Sequence, residues 1–187
     1  MSTALTTPTE QLTGTYTIDP SHSRLGFVAR HAMVTKVRGG FNDFTGRVSI
    51  DGENPSRSTA EVTIQAASVD TRSEDRDGHL RSADFFDVET YPEVRFASTA
   101  IEQLSDTDYR VTGELTLRDV TNPVTFDLEY AGTAVDPFGN TRVGFEGTVV
   151  VNRKDWNLVW NAALETGGVL VSEKVTLELE ISAIKDA

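Results

Sequence analysis

The chain contains no cysteine. That excludes disulfides, thiolate metal sites and a cysteine nucleophile, and by itself fixes no compartment. Histidine is scarce: His22, His31 and His79 are far apart and fit no metal-ligand spacing, so no metal site is expected. Basic side chains are outnumbered, 17 Lys and Arg against 29 Asp and Glu, for a formal net charge of −12. Phosphate binding needs clustered Lys and Arg, so no nucleic-acid partner is expected. The same deficit disfavours adsorption to anionic lipid. Long apolar runs are missing, since no window approaches the ~18 residues that mark a membrane span. The first residues, MSTALTTPTEQLTG, have no basic start and no apolar stretch of signal-peptide length. A cytoplasmic protein with a disordered tail over residues 1–13 is the expectation. Enzyme signatures are lacking too: there is no GxSxG elbow, no Walker loop, no GxGxxG and no HExxH.

What is present is alternation at period two, the mark of half-buried strands. Leu25, Phe27 and Ala29 share one face, and so do Phe44, Val48 and Ile50. Val62 and Ile64 alternate with polar neighbours, and Val94 and Phe96 follow. The second half is cleaner. Tyr109, Val111, Leu115 and Leu117 share a parity; so do Val124, Phe126, Leu128 and Tyr130. Val143, Phe145, Val149 and Val151 form a third set, and Val175, Leu177, Leu179 and Ile181 a fourth. DGENP, DVTNP and DPFGN punctuate these runs as turns. About eight long strands joined mostly by short turns can wrap once and close, which removes exposed edges. No repeat, low-complexity block or linker divides the chain, so residues 14–187 read as one all-β barrel domain.

Two segments break the pattern. SEDRDGHLRSADFF, residues 73–86, follows helix spacing, with acids early and a Phe pair at the end. NRKDWNLVWNAALETGG, residues 152–168, holds both tryptophans four residues apart. Both are expected to leave the barrel rim.

Several pieces in order resemble the YceI-like family of lipocalin-like, polyisoprenoid-binding bacterial proteins. They are YTIDPSHSRLGFVARHAMVTKVRGGF, RDGHLRSADFFDVETYPEVRFAS, VTGELTLRDVTNPV, NRKDWNLVWN and VSEKVTLELEI, together spanning about residues 15–184. Two positions depart from the family pattern: Asp119 stands where glycine is usual, and Asn157 follows the aromatic where a small residue is common. The resemblance implies an eight-stranded antiparallel lipocalin-like barrel with a short helix at one end. It also implies a long apolar interior for an amphiphile such as an isoprenoid quinone or prenyl phosphate, no other cofactor, a transport or sequestration role, and frequent dimers.

The candidate ligand-contacting residues follow. On the strands they are Phe27, Phe44, Phe96, Leu115, Leu117, Phe126 and Phe145. In the two excursions they are His79, Leu80, Phe85, Phe86, Trp156 and Trp160, the tryptophans at helical spacing as pocket wall or rim staple. Near the first hairpin they are His31 and Met33. By resemblance, His31 and His79 lie near the pocket, where either would hydrogen-bond a polar head group or serve as a structural histidine. On a helix, adjacent Phe85 and Phe86 diverge by about 100°, so one would face the ligand and the other pack outside. Arg76 and Arg81 flank that helix and would face a phosphate or pair with Asp75, Asp77 and Asp84. The alternative to a carrier is an isomerase or cyclase in the same barrel, with His31 or His79 as acid/base. A third reading is a structural partner with a filled interior.

Overall fold

The computed structural model describes residues 10–187. Eleven antiparallel strands form one closed sheet: β1 Gly14–Ile18, β2 Arg24–His31, β3 Thr35–Phe41, β4 Phe44–Ile50, β5 Thr59–Gln65, β6 Val69–Asp70, β7 Glu93–Gln103, β8 Asp108–Leu117, β9 Val120–Val135, β10 Thr141–Asn152 and β11 Lys174–Lys185. They amount to eight staves, because three are broken. β11 pairs with β1 at its C-terminal end and with β2 further up, so β1 and β2 are one stave interrupted at residues 19–23. β3 and β4 pair with β2 and β1 in turn, forming a second stave broken at Asn42 and Asp43. β5 and β6 form the third, broken by a 3-10 turn at Ala66–Ser68. The β1–β11 seam, with Ile18 opposite Ala183, closes the eight-stranded barrel that the alternation implied.

In this meander the connections fall alternately at two ends. The upper end carries the β2–β3 turn, helix α1 (Glu74–Arg81) with the loop to β7, the β8–β9 turn, and the long β10–β11 excursion. The lower end carries the 3-10 turn Glu10–Leu12, the β4–β5 loop, the β7–β8 and β9–β10 turns, and the C-terminus. Of the residues expected as a tail, Glu10–Leu12 form a 3-10 turn with Leu12 only 2% exposed and packed into the barrel base, while residues 1–9 lie outside the described residues.

Both departures from the family pattern sit where the backbone is left-handed. Arg118 and Asp119 have φ of 49° and 62° in the two-residue β8–β9 turn, the arrangement that suits a right-twisted hairpin. Asn157, at φ 62°, caps the 3-10 turn Arg153–Trp156. Asp and Asn are the non-glycine residues that adopt this conformation most readily, so both substitutions keep the turns.

Helix α1 is shorter than the spacing predicts. Ser73 caps it, its hydroxyl accepting from the Arg76 amide, and Glu74 and Asp75 occupy its first turn. It stops at Arg81. The Phe86 amide then donates back to the Leu80 carbonyl at 2.9 Å, and Asp87 takes φ 47°. The Phe pair thus lies in a tight turn beyond the helix, and the 100° divergence does not apply. Nor do the flanking arginines pair with local acids. Arg76 donates to the hydroxyl and carbonyl of Thr71, each at 2.7 Å, and Arg81 donates to the carbonyls of Ala67 and Val69. Buried Asp77 instead accepts from the amide and hydroxyl of Thr71, tying the helix to the end of β6. Asp84 binds His79. Guanidinium forks reach several carbonyls at once, and here that geometry wins over local charge pairing.

Candidate functional site

The inward side chains do not meet. They leave a cavity of about 320 Å3 to which all eight staves contribute, from Leu12 and Ile50 below to Leu80 and Phe86 above. Many inward residues, among them Phe126, Phe145, Leu177 and Leu179, are only half-buried although they point into the barrel, because their inner surfaces border this space. Glycine enlarges it at two places. The Phe96 ring packs against Gly113 and the Phe27 ring against Gly39; a Cβ at either glycine would collide with the ring.

The lining is almost wholly apolar. Ser58, Tyr109, Arg153 and Trp156 are the side chains with polar atoms among the described lining residues. Trp156 donates its indole N–H to the Leu115 carbonyl at 2.8 Å, and Ser58 accepts from the Asp51 amide. Arg153 is 6% exposed and gives its guanidinium to three carbonyls, those of Ser172, Leu158 and Val171. Burial pulls its pKa below the usual guanidinium range, with Glu173 opposing the shift. No carboxylate forms an ion pair with it among the described residues; Glu173 pairs with Lys154.

Of the residues singled out from the sequence, Phe27, Leu80, Phe85, Phe86, Phe96, Leu115, Leu117, Phe126, Phe145 and Trp156 line the cavity. Both phenylalanines of the pair do so, contrary to the one-in, one-out expectation. Phe86 meets Phe41 edge-on at 5.5 Å, and Phe41 in turn meets Phe27 at 5.9 Å. The remaining five are elsewhere. Phe44 is 2% exposed and packed among Tyr16, Ile18 and Leu25 in the lower core. Met33 is 64% exposed at the β2–β3 turn. Trp160 stands behind Phe85, centroids 5.4 Å apart, with His79 against both rings. The left-handed Asn157 breaks the helical spacing between the tryptophans, sending Trp156 to the lumen and Trp160 to the rim. His79 binds Asp84 at 2.8 Å outside the cavity, and His22 binds Asp19 at 2.7 Å in the loop that breaks the first stave. His31 bridges to Val171 and borders a separate polar hollow with Lys36, Arg38, Thr71, Arg72 and Arg76. The imidazoles therefore lie apart, and the described residues hold no cluster of three or more metal-ligating side chains.

Sequence reasoning passed over Phe41, Ile101 and Arg153. Ile101 has the wrong parity relative to Phe96; a bulge at Thr99, where Ser98 pairs with Gly113 and Ala100 with Thr112, turns it inward. Arg153 is charged, which argued for the surface. Phe41 alone carried a legible signal, an aromatic three residues before Phe44.

Among solved structures, Burkholderia cenocepacia BcnA superposes with a TM-score of 0.78 at 25% identity over 88% of this chain and 98% of that protein. The Campylobacter jejuni YceI protein superposes at 0.72 with 27% identity over 84% and 90%. A polyisoprenoid-binding domain from Saccharophagus degradans, implicated in plant cell wall breakdown, shares the fold at 0.69 with 18% identity, over 91% and 98%. A UPF0312 protein of Photorhabdus laumondii is 41% identical over 148 residues, 78% of this chain and 77% of the relative. One from Staphylococcus aureus is 37% identical over 164 residues, 87% and 93% respectively. The sequence model of the YceI-like domain matches residues 16–183, and with these relatives it establishes that the chain belongs to the YceI-like family.

Proposed function

We propose that the barrel interior holds the hydrocarbon chain of an amphiphilic, isoprenoid-like lipid, and that the protein carries or sequesters this lipid without transforming it. One observation supports this above the others: apolar side chains from every stave border a common space of about 320 Å3 and do not fill it. For comparison, an apolar cavity of roughly 150 Å3 stays dry and takes up benzene. At ~24 cal/mol per Å3, a core that fails to close over such a volume forgoes on the order of 8 kcal/mol. That is comparable to the whole stability of an ordinary domain, so the space calls for a functional reason. Each isoprene unit entering it contributes about 3 kcal/mol before ordering costs.

The head group belongs at the upper end. There Arg153 has carbonyl partners but no ion-paired carboxylate, whereas the lower-end Arg142 is neutralised by Asp19 and Asp136. An isoprenoid quinone or a prenyl phosphate has this form, and the Saccharophagus neighbour, described as polyisoprenoid-binding, makes such chains the first to try. The enzyme alternative needs an acid/base group at the cavity, and none of the three histidines borders it.

Organic extraction of purified protein followed by mass spectrometry tests the proposal. A prenyl or other long-chain amphiphile should be recovered in about equimolar amount. It should be absent from Val149→Trp/Leu179→Phe, which fills the lumen from two half-buried inward positions. Equal recovery from a folded filled variant would place the lipid elsewhere and reject the reading. Release of a chemically altered product from an added prenyl substrate would favour the enzyme.

A further inference from the structure

The net charge of −12 is a sum, and the upper end departs from it. On the outward parity of the β2–β3 hairpin, Arg30 stands opposite Lys36 and Val28 opposite Arg38. Arg72, just before α1, and Arg76, in its first turn, complete the group. Lys36, Arg38, Arg72 and Arg76 line, with His31, a polar hollow of about 420 Å3. All five cations are exposed, and none forms an ion pair among the described residues. Arg76 is held in place by Thr71, and Arg30 donates to the Val34 carbonyl. Among neighbouring acids, Asp70 accepts from Asn42 and the Arg72 amide and interacts with the Arg72 charge, while Glu74 and Asp75 in the first turn of α1 form no ion pair with these cations.

Beside this basic face lies an apolar tip. Met33 and Val34 in the β2–β3 turn are 64% and 74% exposed, and Val159 and Val169 in the β10–β11 excursion are 59% and 36% exposed. The two segments are joined: the Ala32 amide donates to the Leu170 carbonyl at 2.7 Å, and the Met33 thioether sits against Gly168. From Asn157 to Val171 the excursion carries a single charge, Glu165. Lysines on an edge strand can serve merely to deter strand pairing. That purpose requires neither Arg72 and Arg76 nor exposed aliphatic tips.

We propose that this end docks on an anionic lipid bilayer. Met33, Val34 and Val169 enter the head-group layer, while Arg30, Lys36, Arg38, Arg72 and Arg76 lie over lipid phosphates. Apolar anchors rimmed by cations are the combination that holds a protein on such a surface. Repulsion from the acidic remainder of the molecule is screened beyond roughly 8 Å at physiological salt. A net charge that disfavours anionic surfaces counts charges without placing them, and here five cations share one end. In purpose the proposal rests on the carrier reading, since a carrier must meet a membrane to load or deliver; its test does not use the cavity.

Co-sedimentation with phosphatidylglycerol-rich vesicles, against pure phosphatidylcholine vesicles, is that test. Binding should be confined to the anionic vesicles, fall as salt rises, and weaken at least tenfold in Lys36→Glu/Arg38→Glu. Met33→Asp/Val34→Asp should weaken it by several-fold with the melting temperature unchanged, since both side chains are exposed. The lumen-filling variant should bind vesicles like the wild type while losing its lipid, which separates the two readings. Failure to bind anionic vesicles, equal binding to both vesicle types, or charge reversal without effect would each overturn the docking proposal and leave the carrier reading standing.

Discussion

The two ends of the barrel use the same chemistry to opposite effect. At the lower end Arg142 bridges Asp19 and Asp136, each at 2.8 Å. Asp136 also accepts from the amides of Phe138 and Asn140, which locks the β9–β10 turn. Beneath, Tyr16 is fully buried and donates to the Leu12 carbonyl, while Ala183 fills the seam beside it. Burial pushes the Tyr16 phenol above its ordinary pKa, with a smaller push from Tyr130. At the upper end Arg153 holds the β10–β11 excursion by three carbonyls and leaves its charge uncompensated by any ion pair. Phe85 and Phe86 reach the lumen from a turn rather than from a strand. An arginine closed by carboxylates makes a sealed base; an arginine closed by carbonyls steadies a rim and keeps a positive potential there. Under the proposed carrier reading, the lower end is the closed base and the upper end the mouth.

Overpacking should separate the ends most sharply. Ala183→Phe, at 0% exposure, should destabilise by about 3 kcal/mol or more in denaturant unfolding, whereas Val149→Trp, beside the cavity, should cost less than ~1 kcal/mol. Similar losses at both positions would mean that the interior is packed evenly. A smaller effect is expected for Trp156→Phe. The buried Leu115 carbonyl loses its indole donor at a cost of about 2 kcal/mol, and the wall of the cavity loosens, read as weaker lipid retention.

The smallest effect is a pH dependence, largest at the lower end. The Arg142 guanidinium, before all other causes, holds the Asp136 carboxyl at a pKa of about 2. Hydrogen bonds from Ser21 and then Arg142 hold Asp19 lower still. Both carboxyls titrate below their unfolded values, so their stabilisation is complete above pH ~4 and fades as the pH falls toward 2. Thermal melts should therefore show a steeper acid decline in the wild type than in Arg142→Met. Arg153→Met should change the slope much less, because Glu173, held low first by Lys154, loses only a lesser contribution with it.

Much of this was legible from residue order. Period-two runs such as Val175–Ile181 specify which face turns inward, and punctuation such as DVTNP specifies where staves end. The broken staves were not legible, because nothing local to residues 19–23 reveals that β11 pairs on both sides of the break. Ile101 was hidden by a bulge that exists only in register with β8. The Phe pair signals an apolar destination, but the turn that sends both rings inward depends on the Phe86 amide reaching back to Leu80, past the end of the helix that the spacing implies. Resemblance draws His31 and His79 toward the pocket, while the structure sets His31 at a separate polar hollow and His79 against Asp84 outside the cavity; Met33 stands exposed in the β2–β3 turn.

Calorimetric titration with a prenyl alcohol tests most directly whether the lumen is a binding space. The wild type should bind one chain with a clearly negative heat-capacity change, the mark of apolar burial, and Val149→Trp/Leu179→Phe should give no signal while remaining folded. Identical heats from both proteins, or none from the wild type across prenyl lengths, would contradict it.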